Sequence, residues 1–492
     1  MRLLMASMLM LTATGLSADM RIVSQRSASP LVTFRVVFLT GTAADPAGKE
    51  GAATLTASML AQAGTRQQTY KQIVDAMFPM ATSVSRQVDK EMTVFSATTH
   101  ADNLEAFYTL FRSMLLDPGW RADDFARLRD DAINYLRVGL RGNNDEELGK
   151  EVLYNVIYNG RPYGHENVGV VAALEKMTVA DLQAFYRAHY AQDNMIVAIA
   201  GGYPESFPER IKKDFATLPQ KGAKTPAFEQ PKRNRGIRVT MIEKDTRSVA
   251  YSIGFPIEVK RGHPDFPALL LAQAYLGQHR TSGGQLYNRL REIRGLNYGD
   301  YAYIEYFPRG MFQFEPDPNL ARQGQVFQIW IRPVEPATAH FALRLAMYEF
   351  DKFVREGIPP EEFDRWRSFV SKYVNLLTKT KSAELGYAID SSYYGIPEYS
   401  RYIKEGLAKL TVQDVNRAIR KHLDASNLDI VVVAKGCEGL KKAFLAGEPS
   451  PMTYNSPKPK EILNEDKTVE KWKIAFHPDA FRIIPVDQVF EK

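Results

Sequence analysis

The feature that most constrains the fold of this chain of 492 residues is an internal repeat. Two segments, beginning at Met177 and at Leu410, follow the same plan of a helix and then a strand. In each copy a Thr lies where a helix N-cap belongs, an Asp follows three residues later, and a β-branched run ends at Gly. The residues identical in register are Thr178 and Thr411, Val179 and Val412, Asp181 and Asp414, Arg187 and Arg420, His189 and His422, and Asn194 and Asn427. The repeat predicts two similar domains.

The repeat divides the chain into halves that we expect to span residues 19–218 and 237–445. Residues 219–236, between them, are rich in Pro and Gly, which is typical of a linker. Each half opens with strand-like alternation and continues into Ala- and Leu-rich helices. This pattern predicts an α+β fold of two homologous domains, each an antiparallel sheet covered by helices. The tail, residues 446–492, ends in apolar residues that we expect to pack back onto the body.

Residues 1–18 have the layout of a secretory signal peptide, with one Arg, an apolar run from Leu3 to about Leu16, and then small residues. The run is shorter than the roughly 20 apolar residues that a membrane-spanning helix needs. We therefore expect an exported, periplasmic protein with no integral membrane segment. The alternative is a slightly apolar, disordered start.

The formal net charge is +6 at pH 7, and much of the excess lies in and just after the linker. The basic residues there are Lys221, Lys224, Lys232, Arg233, Arg235 and Arg238. A nucleic-acid surface would place such residues along one helix or sheet face with interleaved aromatic side chains. We therefore predict a solvated linker and no nucleic-acid partner. Glu146, Glu147 and Glu151 have helical spacing and are likewise expected on a solvated helix face.

The stretch from Gly51 to Thr65, GAATLTASMLAQAGT, resembles the zinc-binding helix of the insulinase (pitrilysin) family of metallopeptidases. In that family the helix reads roughly G-x-A-H-x-x-E-H. The resemblance places Thr54 and Ser58 at the two zinc histidines and Ala57 at the catalytic glutamate. Leu136 matches the third zinc ligand, a glutamate in the family. Since these residue types do not bind zinc, the resemblance implies a non-catalytic relative.

Two further segments carry the same resemblance. PYGHENVG, residues 162–169, is similar to a P-Y/L-G-x-x-x-x-G loop of the family, and LYNRLREIRGLNYG, residues 286–299, is similar to its L-x-x-x-L-R-E-x-x-G-L-x-Y signature. In active relatives this signature supplies an Arg and a Tyr that reach over the substrate, and Arg291 and Tyr298 match them. Both can donate hydrogen bonds to a substrate carbonyl and to the oxyanion that forms when water attacks it. The alternative is that Arg291 pairs with a neighbouring carboxylate and Tyr298 is a half-buried strand residue.

The remaining metal-binding residue types form no local zinc motif. None of the eight histidines is followed by another at a spacing of three or four residues. Cys437 is the single cysteine, so it offers neither an internal disulfide nor a Cys-based site. We predict no metal in this chain and expect zinc in a partner subunit. A site assembled from distant parts of the fold is the alternative.

Some members of the family work as heterodimers in which one subunit carries the zinc motif and the other carries none. The resemblance therefore implies a zinc-free subunit of a heterodimeric zinc peptidase, whose Arg291 and Tyr298 assist the hydrolysis of peptides or unfolded protein segments. A second hypothesis is a peptide-binding or structural, assembly protein of the same fold that has no role in cleavage. A third is an independent hydrolase that uses a relocated metal.

Overall fold

The computed structural model describes residues 20–492, apart from the side chains of His477 and Pro478. The predicted signal peptide, residues 1–18, lies outside the described residues. The strands of the first half are β1 (Arg21–Arg26), β2 (Leu31–Phe38), β3 (Ser85–Val88), β4 (Thr93–His100) and β5 (Met195–Gly201). The remaining strands are β6 (Ile237–Glu243), β7 (Val249–Ile257), β8 (Gly299–Tyr303), β9 (Gln325–Val334), β10 (Leu428–Ala434) and β11 (Phe476–Pro485). They form two sheets, in the orders β1-β5-β2-β4-β3 and β11-β6-β10-β7-β9-β8.

Helices cover both sheets. Those of the first half are α1 (Ala52–Ala61), α2 (Tyr70–Met77), α3 (Leu104–Leu116), α4 (Ala122–Asn134), α5 (Arg141–Asn143), α6 (Asp145–Ile157), α7 (Val171–Glu175), α8 (Val179–His189) and α9 (Phe207–Phe215). Those that follow are α10 (Phe266–Gly277), α11 (Ala339–Glu356), α12 (Pro360–Tyr373), α13 (Lys381–Tyr394), α14 (Tyr399–Ala408), α15 (Val412–His422), α16 (Cys437–Ala446) and α17 (Lys460–Val469). None of these helices combines the length and apolar character needed to cross a bilayer, within the described part of the chain.

The repeated segment forms the same structure in both halves. Thr178 caps α8 and Thr411 caps α15, and each hydroxyl accepts a hydrogen bond from the backbone N–H of the Asp three residues later. Each Asp side chain in turn accepts the backbone N–H of its Thr, so both helices begin with a complete capping box. After the helix, the chain enters an inner strand of its sheet, β5 or β10. The prediction of an α+β fold with two homologous domains is confirmed.

Both sheets are mixed, which differs from the antiparallel sheets expected from the sequence. In the first sheet β5 lies between β1 and β2, parallel to β1 and antiparallel to β2. In the second sheet β10 lies in the same way between β6 and β7. Because β1 and β2 run in opposite directions, a strand inserted between them is necessarily parallel to one of them. Alternation of apolar residues reports which face is buried and carries no information on strand direction.

Each sheet is covered on one face by a helix from the other half. Helix α6 of the first half packs against β7 and β10, and α13 of the second half packs against β2 and β5. The strands are therefore buried on both faces. In β10, Ile430 and Val432 belong to the core of the second half, whereas Val431 and Val433 belong to the core that includes α6. Neither half buries its sheet alone, so the two halves stabilise each other.

The connection between the halves, expected to be a solvated linker, is pinned to the body from Phe228 onward. The Phe228 ring packs against Tyr163, with ring centroids 5.1 Å apart. The Arg233 guanidinium stacks over Phe255 at 4.6 Å and donates a hydrogen bond to the Pro256 carbonyl. Expectation and structure differ at Arg233, which is partly buried against an aromatic ring, whereas the other basic residues are exposed as expected: Lys221, Lys224, Lys232, Arg235 and Arg238. The connection positions the second half against the first.

The tail contacts both halves. Strand β11 lies parallel to β6 and forms one edge of the second sheet. Further on, the Phe490 carbonyl accepts a hydrogen bond from the Val171 N–H in the first half. The Glu491 carboxylate lies 2.8 Å from the Arg137 guanidinium and 2.7 Å from that of Arg141. The last residues are thereby held beside the segment that follows α4.

Candidate functional site

The positions that match the family's zinc ligands on α1 lie inside the protein, because α1 is buried along its whole length. The Thr54 hydroxyl donates a hydrogen bond to the Asn167 carbonyl, and the Ser58 hydroxyl donates to the Thr54 carbonyl at 2.7 Å. Ala57, at the position of the catalytic glutamate, is fully buried and has no polar side-chain atom. Catalytic zinc takes imidazole, thiolate or carboxylate ligands and an open position for water. This helix offers none of them.

The start of α1 is nevertheless built with polar contacts. The Asp45 carboxylate accepts the backbone N–H groups of Gly51 and Ala53, both at 2.7 Å. Gly51 has a φ of 107°, and a Cβ there would lie 2.5 Å from the Val168 carbonyl oxygen, so only glycine fits. His165 Nε2 lies 3.1 Å from the same Asp45 carboxylate. These contacts hold the PYGHENVG loop against the helix.

Leu136, at the third ligand position, completes the loss of the zinc set. It lies in a π-helical segment, Tyr135–Leu140, that continues α4, and α4 packs against α1. Its side chain is fully buried in the core of the first half. The matching glutamate of the family is a zinc ligand, whereas the Leu136 side chain has no atom that can bind a metal and only packs in the core. The residues at all four matched positions therefore do not fit a catalytic zinc ion.

Arg291 and Tyr298 form a stacked pair on the surface of the second half. The Arg291 guanidinium lies over the Tyr298 ring at 4.3 Å and over the Tyr287 ring at 4.7 Å. Its Nη1 donates hydrogen bonds to the Tyr298 carbonyl at 3.1 Å and to the Tyr287 hydroxyl. Gly295, with a φ of 68°, ends the helical turn between them and brings the two side chains together. Tyr298 is 65% exposed, so its hydroxyl is available to a ligand.

The carboxylate partner that the alternative interpretation assigned to Arg291 is absent from the described residues, where this side chain makes no ion pair. Tyr298 precedes β8 and lies beside β9, since its backbone N–H donates to the Arg332 carbonyl at 3.3 Å. The Arg332 guanidinium in turn pairs with Glu146 at the start of α6. The stacked pair therefore lies close to the boundary between the two halves.

A cleft of about 350 Å³ opens at that boundary. Strand β3, α6 and the loop containing Glu166 and Asn167 line it from the first half. Residues between Tyr306 and Leu320 line it from the second half. Because the Asn167 carbonyl also accepts the Thr54 hydroxyl, the cleft borders the degenerate zinc helix. The structure thus retains a polar chamber beside the site that lost its metal ligands.

The acidic residues of α6, expected on a solvated helix face, are instead buried. Glu146, Glu147 and Glu151 are 4%, 4% and 6% exposed. Lys150 Nζ lies 3.2 Å from Glu146 and 2.6 Å from Glu147, and the Tyr306 hydroxyl donates to Glu151 at 2.7 Å. The expectation is wrong because α6 covers the sheet of the other half. Helical spacing shows that side chains share a face and does not show what that face contacts.

Burial perturbs the ionisation of the groups around the cleft. Burial, followed by the nearby charge of Glu151, raises the pKa of Glu166 to about 8. Burial and then Glu147 raise the pKa of Glu151. Burial and then Arg322 lower the pKa of the Lys90 ammonium to about 8. Burial therefore favours the protonated form of Glu166, and the cleft carries less negative charge than its composition implies.

A buried ion pair joins the halves next to the cleft. Arg322 Nε lies 2.7 Å from Asp89 Oδ2, and both side chains are 1% exposed. The Arg322 guanidinium also stacks over the Tyr306 ring at 3.5 Å, and Asn167 donates to the Asp89 carboxylate at 3.0 Å. Sequence reasoning missed this pair because the two residues are 233 positions apart and belong to no local motif. We call it the interdomain ion pair.

Comparison with known proteins relates this architecture to one family. A family model described as the peptidase M16 inactive domain matches residues 176–369. An uncharacterized zinc protease of Mycobacterium tuberculosis is 24% identical over 238 residues, which are 48% of this chain and 53% of that protein. This match spans about half of the relative's length. An uncharacterized zinc protease of Rickettsia bellii is 22% identical over 400 residues, 78% of this chain and 89% of that protein.

Solved structures share the fold. The peptidase M16 inactive domain from Pseudomonas fluorescens has a TM-score of 0.74 at 23% identity, covering 87% of this chain and 98% of that one. A chain of complex III2 from Candida albicans has a TM-score of 0.64 at 14% identity, covering 84% and 93%. The periplasmic protease PqqL from Escherichia coli has a TM-score of 0.64 at 16% identity, covering 94% of this chain and 50% of that one.

The family model spans the end of the first half and the second half as far as residue 369, which includes Arg291 and Tyr298, and the relatives are named as zinc proteases. This chain shares their architecture but has Thr54, Ala57, Ser58 and Leu136 at the zinc positions. The motif, the duplicated fold and the comparisons together relate the chain to the M16, insulinase-type peptidases: it has their fold, matches the M16 inactive-domain model over residues 176–369, and lacks the His-x-x-Glu-His motif.

Proposed function

We propose that this chain is the zinc-free subunit of a heterodimeric M16 peptidase and supplies Arg291 and Tyr298 to the hydrolysis of peptides. One contrast carries the proposal. The four zinc positions hold residues that cannot bind the metal, and their hydroxyls are satisfied internally. The Arg–Tyr pair, by contrast, is intact, lacks an ion-pair partner among the described residues, and presents an exposed phenol.

The chemistry of this pair fits oxyanion stabilisation. The guanidinium has further N–H groups beyond those bound to Tyr287 and Tyr298, and the Tyr298 hydroxyl points from an exposed side chain. Stacking on two rings restricts the guanidinium, so less conformational entropy is lost when it binds a carbonyl oxygen. In the proposed complex, zinc held by the partner would supply the activation of water, and Arg291 and Tyr298 would donate hydrogen bonds to the tetrahedral intermediate.

Two further features support a paired arrangement in the periplasm. The match to the periplasmic protease PqqL takes up half of that protein, which leaves in it a second half of similar size. A complex of this chain with a zinc-bearing relative would supply an equivalent second half. The signal-like residues 1–18 agree with export. Mass spectrometry of the mature N-terminus from the native host tests export, since an uncleaved Met1 in the cytosolic fraction contradicts it.

The first test of the partnership is isolation of the mature chain from its native host under mild conditions. We expect a partner with an intact His-x-x-Glu-His motif in stoichiometric amount. In that complex, Tyr298→Phe and Arg291→Ala should each lower kcat for peptide hydrolysis by ~10²–10³-fold, the usual loss for one oxyanion donor. The complex should still assemble, because both side chains lie at the surface.

The matched controls are Tyr70→Phe and Arg127→Ala, which alter another surface Arg–Tyr stack, with the guanidinium 5.5 Å from the ring centroid. These variants should leave hydrolysis unchanged. Unaltered turnover in the Tyr298 and Arg291 variants would refute the shared active site. Recovery of the chain without a zinc-bearing relative would instead favour the second hypothesis, a peptide-binding or assembly protein of the same fold.

A further inference from the structure

Two histidines and an aspartate from distant parts of the chain meet in the second half. His263, Asp265 and His422 each offer a ligand atom, and these atoms all lie within 4.8 Å of one another. His422 Nε2 is 2.7 Å from an Asp265 carboxylate oxygen, and the two imidazole rings are nearly perpendicular, with centroids 5.4 Å apart. No other group of three such residues is found in the described part of the chain.

Two packed helices and several hydrogen bonds hold these three side chains in place. Asp265 directly precedes α10, His422 is the last residue of α15, and these two helices pack against each other. His263 Nδ1 accepts the Asp265 backbone N–H at 3.0 Å, which leaves its Nε2 as the free ligand atom. Arg233 in the connection between the halves donates to the His422 carbonyl and anchors the end of α15. The cluster is therefore held by three segments of the chain.

The internal repeat provides a comparison within the molecule. His189 occupies in the first half the position that His422 occupies in the second. Its ring packs on Phe185 with centroids 4.4 Å apart, and its Nδ1 has no hydrogen-bond partner among the described residues. Within the described residues, no second histidine and carboxylate lie close enough to His189 to form such a group with it. The three-residue cluster is thus a property of the second half and not a consequence of the shared helix.

We propose that His263, Asp265 and His422 bind one divalent transition-metal ion of the zinc class. Two imidazoles and one carboxylate form a donor set that suits Zn²⁺, with the remaining coordination position left to water. The half-exposed His263 gives an ion access from solvent. The bound ion would cross-link the turn before α10 to the end of α15, which is a structural role separate from peptide hydrolysis.

Lys421 competes with the metal for the carboxylate. Its ammonium lies 2.9 Å from the same Asp265 oxygen that contacts His422, and its side chain is 60% exposed. Because the long lysine side chain can swing into solvent, the ion can replace it at the carboxylate. A nearby positive charge opposes a cation, so removal of Lys421 should strengthen binding.

The test is titration of the full mature chain, with any polyhistidine tag removed, with ZnCl₂ in an isothermal calorimeter. We expect one ion per chain, and at least ~10-fold weaker binding in His263→Ala and in Asp265→Asn, since each removes a ligand. Lys421→Met should bind more tightly than the wild type. The matched control His189→Ala should bind as the wild type does.

Two outcomes would overturn the proposal. One is the absence of stoichiometric binding at any zinc concentration at which the chain stays soluble. The other is binding that the His263 and Asp265 variants leave unchanged. Because His422 is nearly buried and its loss affects packing, His263→Ala carries the test, and circular dichroism verifies that this variant is folded. The result is independent of the peptidase partnership, because no step of the measurement involves a substrate or a partner.

Discussion

Removing one member of the interdomain ion pair should destabilise the whole protein. In Arg322→Met the Asp89 carboxylate keeps its 1% exposure but loses the guanidinium that lies 2.7 Å away. An uncompensated buried charge of this kind costs about 3–5 kcal/mol. The Arg322 stack over Tyr306, at 3.5 Å, is lost as well. With 2–4 °C per kcal/mol for domains of 150–250 residues, we expect the Tm to fall by about 6–20 °C.

The assay is thermal unfolding of the purified mature chain, followed by circular dichroism and by calorimetry. Asp89→Asn should destabilise the protein in the same direction, because it leaves the Arg322 guanidinium buried without a counter-charge. The double variant, Asp89→Asn with Arg322→Met, should recover part of the loss, since it contains no buried unpaired charge. The matched control is Arg355→Met, which removes a solvent-exposed ion pair with Asp351 within α11 and should leave the Tm unchanged.

The outcome that would refute this reasoning is a double variant whose loss of stability, measured against the wild type, equals the sum of the two single losses. Such additivity would mean that the two side chains contribute separately and that the pair does not join the halves. A second contradicting result is an unchanged Tm in Arg322→Met. Water would then reach the Asp89 carboxylate, and the cleft would extend further between the halves.

Two further predictions concern the cleft and the repeat. Burial raises the pKa of Glu166 to about 8 from its usual 4.5. Between these two pH values the folded state holds a proton that the unfolded chain releases. The contribution of Glu166 to the free energy of unfolding therefore falls as the pH rises from about 4.5 to 8. Glu166→Gln should remove that contribution, so the Tm of the variant minus the Tm of the wild type should increase as the pH rises through this range. A Tm difference that stays constant with pH would contradict the raised pKa. In the repeat, Thr178→Ala removes one capping box and should cost ~1 kcal/mol, measured by urea unfolding, whereas Thr109→Ala, a helix-surface control, should cost less.

Features that depend on residues close together in the chain could be predicted from the sequence. The paired capping boxes at Thr178 and Thr411, and the strands that follow them, depend on interactions within a few residues, and the structure has them where the repeat predicted. The resemblance to the family's signature singled out Arg291 and Tyr298, and the structure stacks the two side chains where Gly295 ends the helical turn between them. The loss of the zinc ligands required only the residue types at the matched positions.

What a side chain contacts in the folded protein could not be predicted in this way. Glu146, Glu147 and Glu151 have the spacing of a solvated face and are buried because α6 covers the sheet of the other half. The interdomain ion pair and the His263–Asp265–His422 cluster join residues more than 150 positions apart. Such contacts depend on how the two halves and their helices pack, which no pattern within a short window encodes.

The amino-acid sequence by itself determined that this chain is duplicated, that its helices begin at capping threonines, and that its zinc motif is lost. Only the tertiary structure decided that the halves exchange the helices covering their sheets, that a cleft with protonatable carboxylates lies between them, and that His263, Asp265 and His422 meet. The physical reason is range. Capping and turn formation act over a few bonds, whereas burial and ion pairing act between surfaces that meet only after the chain has folded.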